Sequence, residues 1–204
     1  PSQRWKQKRF NQKWFGGDTI SVGIGQGYNL ATPMQLAYAT AILANNGVVY
    51  RPHLVRQVED SQTGERRTLE SEPFTTFTIK PDNLARVREA MIDVNKPGGT
   101  AAAAFAGATY AVAGKTGTAQ VIALKQNEKY DESRVLEQHR DHALYLAYAP
   151  ADAPRIALAI LVENGGHGGA AAAPIARAVF DFVLLGKEPK VPKENNQGEE
   201  GVGD

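Results

Sequence analysis

Apolar residues recur along this chain at two spacings, and turn-forming residues mark the changes between them. The helical spacing is clearest after Thr32, where Leu36, Ala39, Thr40 and Leu43 share one face. Thr32 suits the N-cap, Pro33 the first helical position, and Gln35 completes a capping box; Asn45-Asn46-Gly47 stops the helix. A second helix opens at Pro81, carries Leu84, Val87, Met91 and Val94 at helical spacing, and ends at Pro97-Gly98-Gly99. Thr100 is placed to cap a short alanine-rich turn through Phe105. A last helix follows the glycine-rich link 164–169, with Ile175, Val179, Phe182 and Val183 on one face.

The remaining apolar segments read as strands. Residues 18–28 form a short β-prone run that opens into a glycine-rich turn. Residues 48–58 read as one strand, marked as an edge by Pro52. A turn at 61–64 leads into 66–69, and 74–79 is again β-prone. Three strands then cover 110–122, 143–148 and 155–162; the tight link from Pro150 to Pro154 makes the last two an antiparallel hairpin. A polar loop, 125–141, separates the first two. The pattern predicts an α+β chain over 1–186, with an antiparallel sheet flanked by helices, and a tail over 187–204 too polar to order itself.

Composition narrows the function classes. The 204 residues make room for one domain, or most of one, with a real core. A net charge of +1 with mixed signs gives no field for nucleic acid, and the short cluster Arg4–Arg9 reads as a solvated end. There are no cysteines, so disulfides and thiolate metal sites are excluded within the chain, which fits an oxidising compartment. No apolar run approaches the ~20 residues that cross a bilayer. The first residue is Pro1, so the chain reads as a piece of a longer protein.

The chemistry concentrates at Lys115-Thr116-Gly117-Thr118, where a strand carries a cation, two hydroxyls and a glycine. That set suits binding a carboxylate and polarising the carbonyl beside it. A phosphate loop would need glycine at 109, which is threonine, and a helix after the lysine, where the pattern is β. Gly23-Ile24-Gly25-Gln26-Gly27 lacks dinucleotide spacing and reads as a structural turn packed beside a site. His139 and His142 stand three apart without a third ligand; Arg140-Asp141-His142 reads as polar anchoring of a strand, and His167 as a loop residue. No metal or cofactor is expected.

Lys-Thr-Gly is one of three signatures of the penicillin-recognising serine acyltransferases, beside Ser-x-x-Lys and a Ser-x-Asn-type element. Neither of the others occurs here: no serine among Ser2, Ser21, Ser61, Ser71 and Ser133 has lysine three residues on or asparagine two residues on. The wider context is specific. Gly23-Ile-Gly25-Gln26-Gly27-Tyr28, Thr32-Pro33-Met34-Gln35-Leu36-Ala37, Asn45-Asn46-Gly47 and Pro97-x-Gly99-Thr100-Ala101 resemble, in order, the C-terminal half of class B penicillin-binding transpeptidases. Trp5-Lys6 to Phe10, Lys115-Thr-Gly-Thr-Ala-Gln120, Arg140-Asp141-His142 and Glu163-Asn164-Gly165-Gly166 resemble the branch that serves rod-shape elongation.

The resemblance implies the penicillin-binding/β-lactamase-like fold, in its C-terminal portion only, and a serine acyl transfer that cross-links peptidoglycan stem peptides ending in D-Ala-D-Ala. β-Lactam antibiotics would imitate that donor. Thr116 and Thr118 would hold the terminal carboxylate, Lys115 would supply positive potential, and Gly117 would let the ligand approach the backbone. The Thr118 N–H would serve as one oxyanion donor and its carbonyl would accept from the ligand amide. The 125–141 loop would border the groove. Partners implied are an N-terminal half carrying the nucleophile and a glycosyltransferase of the elongation machinery, at the periplasmic face of the bacterial inner membrane. A serine β-lactamase and a non-catalytic β-lactam sensor or scaffold piece are the competing readings. The glycine-rich run before Thr32 and the long 125–141 loop favour the transpeptidase.

Overall fold

A computed structural model describes residues 1–121 and 135–189 of the chain. Helix α1 (Gln3–Phe10) starts where the Ser2 hydroxyl accepts from the Trp5 N–H at 3.2 Å. Helix α2 (Gly16–Gly23) replaces the strand expected at the start of 18–28. The β-branched residues there favour a strand, but the Asp18 carboxylate overrides them. It accepts from the Phe15 N–H at 2.8 Å, which caps the helix, and from Lys6 Nζ at 2.6 Å. Lys6 is therefore buried rather than part of a solvated basic end; its ammonium also lies 4.7 Å from the Phe15 ring centroid and 5.3 Å from that of Tyr28. Trp5, Phe10 and Tyr28 pack ring against ring at 5.3–5.6 Å and tie α1 to the glycine turn after α2.

Helix α3 (Pro33–Ala44) has the expected capping box, with Thr32 N–H donating to Gln35 Oε1 at 2.9 Å and Gln35 N–H to Thr32 Oγ1 at 3.2 Å. The segment 48–58 is not one strand. It divides into β1 (Val48–Tyr50) and β2 (Gln57–Glu59), because Pro52 breaks the ladder and each piece finds a different partner. β2 pairs with β3 (Arg66–Thr68) and β1 with β4 (Pro73–Thr76), both antiparallel. Helix α4 (Pro81–Asp93) buries Leu84 but leaves Val87 exposed. Arg88 turns inward instead, and its Nη2 donates to the Leu43 and Ala44 carbonyls at the end of α3.

Helix α5 (Ala102–Phe105) has no side-chain cap; Thr100 is engaged elsewhere. The main sheet is three antiparallel strands in sequence order: β5 (Ala113–Ala119), β6 (His142–Ala149) and β7 (Ile156–Val162). β5 is shorter than the expected 110–122: the Tyr110 hydroxyl leaves the sheet to donate to Asp181, and Ile122 lies outside the described residues. The hairpin from β6 to β7 is as expected, with Arg140, Asp141 and His142 anchoring its start. Asn164 holds the Arg140 carbonyl through Nδ2 and His142 Nδ1 through its backbone N–H, both at 2.9 Å. Most of the 125–141 loop and most of the 187–204 tail lie outside the described residues.

Helix α6 (Gly168–Leu185) covers one face of the sheet. Its inward stripe is Gly168, Ala172, Ala173, Ala176 and Phe180, whereas the expected stripe places Ile175, Phe182 and Val183 on the exposed side. The reason is distance: small side chains let the helix lie close on Ala143, Tyr145 and Ala147, all fully buried, and Phe180 fills the remaining space beside Phe105 and Tyr110. By length and composition alone this 18-residue helix is apolar enough to cross a membrane, which corrects the expectation of no such run; its small-residue stripe is buried against the sheet. On the other face, α3 and α4 reach Tyr148 and Ala113 through Ala44, Met91 and Ile92, while Leu144 and Leu146 stay half-buried.

Two outcomes check this account. The hydrogen bonds from Lys6 and from the Phe15 N–H hold the Asp18 carboxyl below the usual carboxylate range. A depressed carboxyl stabilises fully above that range and loses its contribution as pH falls through the depressed value. Acid titration of tryptophan fluorescence should therefore show the α1–α2 junction loosening in that acidic window, and Asp18→Asn should remove the transition. Separately, a Cβ at Gly168 would lie 2.1 Å from the Leu144 carbonyl oxygen and 2.7 Å from that of Gly117. Gly168→Ala should then destabilise by about 1–3 kcal/mol in urea unfolding.

Candidate active site

Within an antiparallel sheet, residues alternate between those whose N–H and C=O face the neighbouring strand and those that face away. β6 lies on one side of β5, with Lys115 opposite Leu146 and Gly117 opposite Leu144. The Thr118 carbonyl accepts a hydrogen bond from Gln26 Nε2, which comes from outside the sheet. Thr118 and, two residues back, Thr116 therefore present their backbone groups to the unpaired edge. The Thr116 carbonyl on that edge accepts from Lys115 Nζ at 2.8 Å. Among the described residues β5 thus has an edge with no strand partner, a free edge whose Thr116 and Thr118 carbonyls are met by side chains of this same chain.

The side chains divide by the two-residue period of a strand. A Cβ at Gly114 would collide with the buried Tyr145 hydroxyl, so Gly114, Thr116 and Thr118 point to the α6 side. There Thr116, Gly117 and Thr118 line a cavity of about 460 Å³ with Thr100, His167 and the first residues of α6, Gly168 to Ala170. Lys115 is exposed and does not line it. The expectation of a lysine in one groove with both hydroxyls is thus divided: the hydroxyls share a cavity, and the ammonium reaches the edge from the opposite face.

The first turn of α6 completes the cavity. An 18-residue helix presents unpaired N–H groups and a partial positive charge at its start, and His167 adds no side-chain cap. Hydroxyl donors facing such a turn favour an anion, and a carboxylate fits that chemistry. Glycine is required here: at Gly169 a Cβ would lie 2.1 Å from the Thr100 carbonyl oxygen. The helix and the 97–101 turn meet backbone to backbone, and no larger residue permits that.

Among the described residues, no group of three histidine, cysteine, aspartate or glutamate side chains is placed to hold a metal ion. Sequence reasoning identified the glycine turn as a neighbour of the site, and it is: Gly25 and Gly27 have φ of +80° and +66°, so Gln26 projects onto β5. It missed Gln26 itself and Thr100. The Thr100 hydroxyl lies 2.9 Å from that of Thr116, a contact across 16 residues that no local pattern signals. The Thr118 carbonyl, expected to await a ligand amide, already holds the amide of Gln26.

Comparison with known proteins follows the same lines. Residues 4–181 match the family model described as the penicillin binding protein transpeptidase domain. The peptidoglycan D,D-transpeptidase MrdA of Haemophilus influenzae is 45% identical over 203 residues, which is 96% of this chain and 30% of that protein. The Escherichia coli MrdA is 42% identical over 197 residues, again 96% of this chain, and 31% of that protein. Among solved structures, Pseudomonas aeruginosa PBP2 in complex with WCK 5153 superposes with a TM-score of 0.73 at 38% identity, covering 95% of this chain and 39% of that one. Helicobacter pylori PBP2 in complex with MreC gives 0.68 at 31% identity, covering 91% of this chain and 31% of that one. The chain spans about a third of the length of these relatives.

One outcome tests the edge. Gln26→Leu leaves the Thr118 carbonyl to water and should cost about 1 kcal/mol in urea unfolding, the usual worth of one hydrogen bond. A stability equal to that of the unaltered chain would mean that Gln26 does not hold β5.

Proposed function

Because the chain belongs to the penicillin binding protein transpeptidase family, we propose that it is the C-terminal part, residues 1–186, of a peptidoglycan D,D-transpeptidase of the elongation type. In this reading the observation that carries most weight is the free edge of β5, with threonine hydroxyls on one side and a lysine ammonium on the other. A stem peptide ending in D-Ala-D-Ala lies along that edge as an added strand.

The steps follow from the groups available. A serine from the part of the protein that precedes this chain attacks the carbonyl carbon of the penultimate D-alanine. The peptide C–N bond breaks, terminal D-alanine leaves with the proton, and an ester to serine remains. An amine from a neighbouring stem then attacks the ester and releases the serine, which forms the cross-link. Thr116 and Thr118 hydroxyls bind the terminal carboxylate, and the α6 terminus and Lys115 add positive potential. The Thr118 N–H, on the same edge as its carbonyl, donates to the developing oxyanion; losing such a donor costs ~3–4 kcal/mol in the barrier.

In the bound state the Thr118 carbonyl accepts from a ligand amide. The Gln26 amide already makes that kind of bond, which supports an acceptor open to an outside donor. β-Lactams react by the same attack and retain the acyl group. In this reading the intact protein works at the periplasmic face of the inner membrane, where stem peptides are, beside a glycosyltransferase that supplies new strands.

Labelling with a fluorescent penicillin tests this. The 204-residue chain should take up no covalent label, and the intact protein should label at one serine. Lys115→Ala in the intact protein should slow acylation by about tenfold or more, as expected from losing the positive potential it adds beside the bound carboxylate. Stoichiometric labelling of the 204-residue chain, or unchanged acylation in the Lys115 variant, contradicts the reading.

A further inference from the structure

The hydroxyl contact of Thr100 and Thr116 is neither a helix cap nor part of a strand ladder. Thr100 immediately precedes Ala101, the residue before α5, yet its side chain does not cap that helix. It crosses to β5, where its Oγ1 lies 2.9 Å from Thr116 Oγ1. Both residues line the cavity with Thr118 and the α6 terminus.

The backbone around Thr100 is fixed from several directions. Gly98 has φ of +91°, and a Cβ at Gly99 would lie 2.3 Å from the Val94 carbonyl oxygen. The Gly99 N–H donates to the Lys96 carbonyl at 2.8 Å and the Ala101 N–H to the Val94 carbonyl at 3.0 Å. On the far side, the Thr100 carbonyl abuts Gly169 at the start of α6. A turn held from several sides therefore places the Thr100 backbone within side-chain reach of Thr116.

A hydroxyl rotates freely and carries one proton. When Thr116 donates its one proton to a carboxylate in the cavity, its oxygen can only accept in the contact with Thr100, which makes Thr100 the donor there. Resting on the carboxylate-binding role proposed above for Thr116, we infer that Thr100 is a positioning residue for donor recognition. Its O–H donates to Thr116 Oγ1, the Thr116 O–H donates to the ligand carboxylate, and the two bonds polarise each other. The relay selects a free C-terminal carboxylate over a neutral C-terminus.

The test is a titration of the 204-residue chain with N-acetyl-D-Ala-D-Ala and with its C-terminal amide, followed by NMR. The unaltered chain should prefer the carboxylate form, and Thr116→Val should abolish the preference. Thr100→Val should reduce the preference by about fivefold, the change expected from one hydrogen bond, while Thr100→Ser should retain it. If Thr116→Val removes the preference but Thr100→Val leaves it intact, the relay is wrong and the carboxylate site stands. If the unaltered chain shows no preference, both fail. Should Thr100→Val not fold, Thr100→Ala takes its place, and unfolding of both would make Thr100 a fold-holding residue and overturn the inference.

Discussion

Among the described residues β5 pairs with another strand along one edge only, and the candidate site is a consequence of that asymmetry. Pairing with β6 fixes the strand in register over seven residues, from Ala113 to Ala119, and so fixes which residues face the free edge. The period of two then sends the Thr116 and Thr118 side chains to the α6 side and leaves their backbone groups on the free edge.

The rest of the fold serves this edge. Alanines and glycines along α6 let its axis come close to the sheet, and its first turn consequently closes the threonine cavity. The rings of Trp5, Phe10 and Tyr28, with the buried Lys6–Asp18 pair, hold the glycine turn that presents Gln26 to Thr118. Arg88 joins α4 to the end of α3 on the opposite face. Gln26 reaches β5 directly, while the other contacts brace the segments around it.

The sequence showed some of this plainly. The Thr32 capping box, the β6–β7 hairpin and the Lys-Thr-Gly strand are local signals, set by residues within a few positions of each other. Errors arose where a distant partner decided the outcome. The segment after Phe15 reads as β from its Ile and Val residues, but Lys6 and Asp18 make it helical. Ile175, Phe182 and Val183 look like a core face, yet the sheet lies too close for them and selects the alanines. Thr100 reads as a helix cap because its tertiary partner is invisible in the chain order. Pairwise contacts of this kind are the part of a site that spacing alone does not encode.

The central claim is that the outer edge of β5 receives a ligand as an additional strand. Amide hydrogen exchange on the 204-residue chain, with and without saturating N-acetyl-D-Ala-D-Ala, tests it residue by residue. The account predicts that the Thr116 and Thr118 amides exchange freely in the unliganded chain and slow on addition, while Lys115 and Gly117, paired with β6, do not change. Slow exchange at Thr116 and Thr118 before any ligand is added, with no response to it, would contradict the account.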